Sequence, residues 1–102
     1  MISAMARIDM PKEAVAAFCR NHGVRRLALF GSVLTDRFRS DSDVDVLVEF
    51  EPDVHAGFLK LAAMEIELSS VLGRKVDLRT RGELSRYFRD QVLRNSEVQF
   101  GP

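Results

Sequence analysis

What this sequence has little of narrows its chemistry before any motif is read. It holds one cysteine, Cys19, so no internal disulfide can form and the cytoplasm is the expected compartment. Its longest uninterrupted apolar run, Ala14 to Cys19, is six residues, far short of the roughly 20 that cross a bilayer, so membrane insertion is not expected. The opening stretch MISAMARIDM carries Arg7 and Asp9 and lacks the apolar segment of about 7 to 15 residues that marks a secretory signal. There is no excess of either charge, 15 Lys and Arg balancing 15 Asp and Glu, which argues against a general nucleic-acid coat. Low-complexity tracts, linkers and repeats are absent too. What remains is 46% apolar and 29% charged over 102 residues, the composition and length of one globular domain that buries about 65% of its unfolded surface.

The zero net charge conceals a segregation. Residues 1–35 carry a net +3, residues 36–53 a net −5, residues 54–73 a net −1 and residues 74–102 a net +3. Asp36, Asp41, Asp43, Asp45, Glu49, Glu51 and Asp53 oppose only Arg37 and Arg39 in the acidic block. Such a block is ordinarily a solvated loop; here its carboxylates fall in a pattern.

Pro11 near a helix start, Val15, Phe18 and Cys19 at i, i+3, i+4, and a stop at Gly23 predict a first helix of about three turns. Cys19 lies on its core stripe, and His22 complements the dipole in its last turn. Arg26 to Phe30, closed by Gly31-Ser32, predicts a buried strand, and Val33-Leu34 the start of a short helix. Val44, Val46, Val48 and Phe50 alternate with Asp43, Asp45, Leu47 and Glu49, giving a second strand with one apolar face. Pro52 ends it. Leu61, Met64, Leu68, Val71 and Leu72 repeat at helical spacing from about His55 to Gly73. Lys75 to Arg79 predicts a third strand with Val76 and Leu78 inward and Asp77 outward. Thr80-Arg81-Gly82-Glu83 has the capping-box pattern, and Leu84, Phe88 and Val92 at i, i+4, i+8 predict a last helix running from there to about Arg94. Val98 and Phe100 suggest a short edge strand. The expected fold is α/β (α+β): a small mixed sheet of three or four strands with helices packed on one face.

Asp43 and Asp45, two apart in a strand, leave the same face with Cα atoms ~6.6 to 6.8 Å apart. Carboxylates this close repel, so a cation is wanted between them, and an oxygen-only donor set selects a hard divalent ion such as Mg²⁺. Gly31-Ser32 stands ten residues upstream, directly after a buried strand. Glycine lets a phosphate approach the backbone, and the amides and hydroxyl beyond it can cradle phosphate oxygens. Either feature alone is weak; the combined spacing arises by chance in a chain of this length about once in a thousand. Asp77 offers a third carboxylate, and equally fits a surface strand residue paired with Lys75, Arg79 or Arg74.

Gly31-Ser32, then Ser42-Asp43-Val44-Asp45, then Val76-Asp77-Leu78 resembles the minimal nucleotidyltransferases of the polymerase-beta-like superfamily. The similarity covers nearly the whole chain, and Tyr87-Phe88-Arg89-Asp90 with Val92-Leu93 is similar to the closing helix of these small proteins. The resemblance implies one minimal nucleotidyltransferase domain over residues 1–102. It implies that Gly31 and Ser32 hold a nucleoside triphosphate, that Asp43 and Asp45 bind Mg²⁺, that Asp77 completes a catalytic and metal-binding triad, and that Arg39 is a basic nucleotide-side position of the connecting loop. The loop departs from the family pattern of arginine then glycine at Thr35 and Asp36, an exchange expected to weaken triphosphate binding.

These parts support nucleotidyl transfer, in which an acceptor hydroxyl attacks an α-phosphate and pyrophosphate leaves, with two Mg²⁺ ions as clamp. About 100 residues build the catalytic sheet and leave nothing to enclose an acceptor, so the acceptor is expected to be another macromolecule. The resemblance implies a helical HEPN-domain toxin as partner, with AMP transferred from ATP onto a toxin tyrosine and the chain acting as antitoxin. The alternative is a catalytically weak nucleotide-binding protein that neutralises its partner by contact. Polymerase action fits poorly without a basic stripe interleaved with aromatics, and stable nucleic-acid binding is not expected. Self-association is left open.

Overall fold

In the computed structural model, which describes residues 8–102, alternation and register together decide which side chains face the helices. Strand β1 (Val24–Phe30) runs antiparallel to β2 (Val44–Phe50), with Leu29 opposite Val46 and Leu27 opposite Val48. Strand β3 (Val76–Thr80) lies parallel to β2, Val44 opposite Val76 and Val46 opposite Leu78. The short β4 (Glu97–Phe100) pairs antiparallel with the other side of β1, so the order is β3-β2-β1-β4. The expected mixed sheet and its edge strand are thus both present.

Helix α1 (Lys12–His22) and helix α2 (Phe58–Leu72) bring Val15, Phe18 and Cys19, and Met64 and Leu68, onto Leu27, Leu29, Val44, Val46, Val48, Val76 and Leu78 in one buried cluster. Each fully buried Leu or Phe contributes roughly 1.5–3 kcal/mol. α1 ends where Gly23 takes φ 68° and turns its amide back to the Arg20 carbonyl (3.5 Å), the left-handed stop that glycine permits. Cys19 is fully buried, and burial pushes its thiol up to about 12, against a smaller pull from Arg20. That thiol is inert packing at neutral pH. His22 sits in the last turn as expected, with Nε2 2.9 Å from Glu67 Oε1 of α2.

The link from β2 through α2 to β3 leaves β3 at a sheet edge, and that edge is closed. The amides of Val76, Leu78 and Thr80 donate to Ser69 Oγ (2.9 Å), Glu65 Oε2 (2.8 Å) and Glu83 Oε1 (2.8 Å) instead of to another strand. Sealing an edge this way blocks strand addition.

From β3 the chain must cross β2 and β1 to reach β4, and here the structure departs from the expected single last helix. The capping box exists, with Thr80 and Glu83 bonded reciprocally, but it opens only a 3₁₀ turn, Arg81–Glu83. Leu84 then turns extended (φ −78°, ψ 140°) and is buried. Ser85 Oγ accepts from the Tyr87 amide (3.3 Å), and Arg89 takes the Leu84 carbonyl (3.0 Å) that a helix would have used itself. Serine competing for backbone groups is a known helix breaker. Helix α3 is therefore only Arg89–Asn95. Ala28 and Leu47 are register partners buried outside the helix-facing cluster, so the sheet's second face is not wholly open. Among the described residues no helix is long and apolar enough to cross a membrane.

Candidate active site

The first strand ends at a place where only glycine fits. After Phe30 the chain turns into a 3₁₀ turn, Gly31–Leu34, and Gly31 has φ 78°, the left-handed region that side chains avoid. A Cβ there would also run into the Asp45 carboxylate. The cross-strand register explains the contact, because Phe30 stands opposite Asp45. The glycine and the central carboxylate of the sequence motif are thus packed against each other, although fourteen positions separate them.

Asp45 stands opposite Asp77 across the parallel β2–β3 pair, which places their backbones about 4.8 Å apart and both side chains on the face away from α1 and α2. Burial, then Asp77, then Asp43 push the Asp45 carboxyl above its ordinary value, and Arg79 pulls it back only partly. That ranking is an electrostatic record of three carboxylates drawn together. Asp43 lies one residue ahead of β2, 44% exposed, with Oδ2 3.9 Å from Lys75 Nζ. Asp77 is gripped by Arg79, Oδ1 3.2 Å from Nε and Oδ2 3.2 Å from the guanidinium's second nitrogen. Asp77 is thus paired with Arg79, as a surface strand residue would be, and its backbone also lies beside that of Asp45.

Among the described residues no three His, Cys, Asp or Glu side chains stand in a metal-holding arrangement, Asp43 and Asp77 being turned toward Lys75 and Arg79. The donor chemistry nonetheless suits a hard divalent cation: the set is all oxygen, and the half-buried Asp45 is burdened by two like charges that a cation would relieve.

A cleft of about 480 Å³ opens beside Gly31 and Ser32, lined also by Phe30, Thr35, Arg37, Gln91 and Asn95. That volume lies within the roughly 300–1,000 Å³ of small-molecule sites. Arg37, and Gln91 and Asn95 from α3, line this cleft without any sequence motif having pointed to them. Arg37 was hidden in an acidic block, and the α3 residues carry no motif. Arg39 is not in this cleft. It borders a separate depression with Asp36, Phe38, Ser40 and Arg74, where Arg74 donates to the Arg39 and Ser40 carbonyls (2.8 and 3.0 Å) and lies over the Phe38 ring. Arg74 thus ties down the loop between the turn and β2. Thr35, standing where the resemblance leads one to expect arginine, bonds the Ser32 carbonyl through Oγ1 (2.9 Å) and accepts the Arg37 amide (3.1 Å). Thr35 therefore braces the turn while Arg37 brings the cation into the cleft; Asp36 faces the other depression.

Residues 11–98 match the family model described as nucleotidyltransferase domain. The chain is 33% identical over 86 residues, 84% of its length and 90% of the relative's, to the "Putative protein adenylyltransferase MJ0435" of Methanocaldococcus jannaschii. It is 39% identical over 72 residues, 71% of each chain, to the protein adenylyltransferase MntA of Thermococcus cleftensis. Among solved structures, one described as a "putative minimal nucleotidyltransferase" shares 39% identity with a TM-score of 0.69, over 83% of this chain and 85% of that one. A toxin-antitoxin crystal structure with AMP-PNP superposes with a TM-score of 0.73 over 91% of this chain and 75% of that one. A complex of tri-AMPylated Shewanella oneidensis HEPN toxin with MNT antitoxin gives 0.65 over 89% and 70%. Each of these last two is 20% identical and speaks for the fold alone.

Proposed function

The chain belongs to the nucleotidyltransferase domain family, and from that premise we propose that it moves AMP from ATP to a hydroxyl of a HEPN-type toxin and so acts as an antitoxin in the cytoplasm. The observation that carries this reading is the meeting of Gly31, Asp45 and Asp77: a phosphate-approachable turn packed on one carboxylate whose register partner is a second. Relatives named protein adenylyltransferase support the reaction class, and a HEPN toxin is what the MNT antitoxin of like fold is described in complex with.

In this reading the triphosphate lies in the cleft beside Gly31 and Ser32. Turn amides and the Ser32 hydroxyl bond the outer phosphates, and Arg37 supplies the positive charge. Asp43, Asp45 and Asp77 would hold Mg²⁺, two ions in the full site, which when bound neutralises the triphosphate and polarises the α-phosphate. To hold it, Asp43 and Asp77 would have to leave Lys75 and Arg79, with which they pair in the structure. The acceptor oxygen forms a bond to the α-phosphorus as the bond to the bridging oxygen of the β-phosphate breaks. Pyrophosphate leaves, and the acceptor's proton passes to Asp77 or to water.

The alternative, neutralisation by contact with little transfer, separates cleanly in one experiment. The protein is mixed with its HEPN partner, ATP and Mg²⁺, and the partner is weighed intact. A gain of one or more AMP units supports transfer; a tight complex of unchanged mass supports contact alone.

A further inference from the structure

Helix α2 has two apolar faces, and the fold of one chain covers only one of them. Leu61, Met64, Leu68, Val71 and Leu72 share the inward side, Met64 and Leu68 fully buried in the core and the other three packed against it. Leu59, Ala63 and Ile66, at i, i+4, i+7, fall on the opposite side, with Leu59 82% and Ile66 73% exposed. Helix α1 shows an ordinary solvated face in the same chain, where Lys12, Glu13, Arg20 and Asn21 are exposed. A helix apolar on opposite sides is normally covered on both.

The outer face of α2 is complementary to itself. Read from either end it runs bulky, small, small, bulky: Leu59, Ala62, Ala63, Ile66. Laid antiparallel on a second copy with the two-fold axis between the alanines, Ala62 meets Ala63 at the crossing, where small side chains let the helix axes approach to about 8 Å. Inclined helices diverge away from that point, and Leu59 of each copy fills the widening gap against Ile66 of the other. The charges agree with this direction. Lys60 and Glu67 edge the same side of the stripe, about 10 Å apart along the helix, too far to pair within it. In the antiparallel arrangement each Lys60 comes beside Glu67 of the other copy, twice by symmetry. Glu67 engages His22 through Oε1 (2.9 Å), and its side chain remains 48% exposed, leaving acceptor positions for a second cation. A surface shaped for an unrelated chain has no need to match itself end for end.

We propose that α2 is a homodimer interface: two copies of this chain associate through Leu59, Ala62, Ala63 and Ile66 as an antiparallel helix pair, edged by two reciprocal ion pairs of Lys60 with Glu67. One helix face is small against the roughly 800 Å² per partner of a stable interface, so the association is weak, with a dissociation constant of about 10–100 µM. The nucleotide cleft includes none of these residues, and it stays open in both copies.

The test is sedimentation equilibrium of the full chain from about 5 to 500 µM, at low salt because exposed ion pairs are screened. The wild-type mass should rise from monomer toward dimer across this range. Ile66→Glu should stay monomeric and, at a dilution where both proteins are monomers, should melt as the wild type does. Lys60→Glu and Glu67→Lys should each weaken self-association about tenfold, because each sets like charges together twice. An equimolar mixture of these two variants should associate as tightly as the wild type, since the heterodimer restores both pairs. A residue with only an internal structural role cannot produce that rescue. A wild-type chain that is monomeric throughout, a mixture no tighter than its components, or an Ile66→Glu protein that dimerises normally would overturn the proposal. So would loss of the HEPN complex by Ile66→Glu when the wild-type chain is itself monomeric, a result that gives the face to the toxin.

Discussion

Gly31 concentrates the argument at the scale of single residues. Its φ of 78° and its contact with Asp45 mean that any side chain there is penalised twice, by backbone strain and by collision with the carboxylate. Gly31→Ala is expected to cost about 1–2 kcal/mol from the left-handed backbone alone, read as a lowered denaturant midpoint, and to abolish transfer. Ser32→Ala leaves the turn intact, because the turn depends on Gly31. It removes one hydrogen bond to a charged phosphate, ~1.5–3 kcal/mol, so ATP affinity measured by calorimetry should fall by at least tenfold with no change in thermal stability. Asp45 carries a pH signature. Its folded carboxyl is raised above the unfolded value, so the folded state binds the proton more readily and metal-free stability declines as pH rises from the unfolded value through the folded one. Asp45→Asn should therefore melt higher than the parent at neutral pH without metal. The gap should close once the pH falls below the ordinary aspartate range, where both states of the parent are protonated. A constant gap across that range would show that charge crowding is not the cause.

Helices and strands differ in how much of them the sequence revealed, and the reasons are physical. The strands and long helices were legible because period-2 and period-3.6 patterns encode burial directly: Val44, Val46 and Val48 can face only one way once β2 forms. The carboxylate motif was legible for the same reason, since strand alternation alone puts Asp45 outward. The last helix was not. Its apolar spacing at Leu84, Phe88 and Val92 is helical, yet the chain has to travel from one sheet edge to the other, and burying Leu84 on the way overrides the local pattern. Nor could Arg37, Gln91 and Asn95 be read as neighbours, because their proximity exists only after that crossing is made. A further device at this scale is the sealed β3 edge. Glu65→Ala leaves the Leu78 amide without its charged acceptor and should cost about 1.5–3 kcal/mol, while Glu65→Gln restores most of that stability because an amide oxygen still accepts. Light scattering should detect strand-mediated association in the alanine variant and not in the glutamine one. Equal stability of the two variants would remove this bond from the account.

For the whole molecule, the division of charge along the chain becomes a division of space. The acidic block of residues 36–53 supplies Asp43 and Asp45 to the start of β2, and cations come from the last third as Lys75, paired with Asp43, and Arg79, paired with the neighbouring Asp77. In the proposed reading the reactive centre lies on an open surface that the HEPN partner covers. Transfer and contact are separable functions on such a surface. The double substitution Asp43→Asn with Asp45→Asn removes two negative charges from a crowded face, so folding should be intact or firmer without metal. An interface away from these carboxylates is anchored by buried apolar residues and should survive. The most direct measurement is the intact mass of the HEPN partner, co-purified with the double variant and then given ATP and Mg²⁺. The account predicts a stable complex whose toxin gains no AMP, beside a wild-type control whose toxin does. AMP units added by the double variant at the wild-type rate would contradict it.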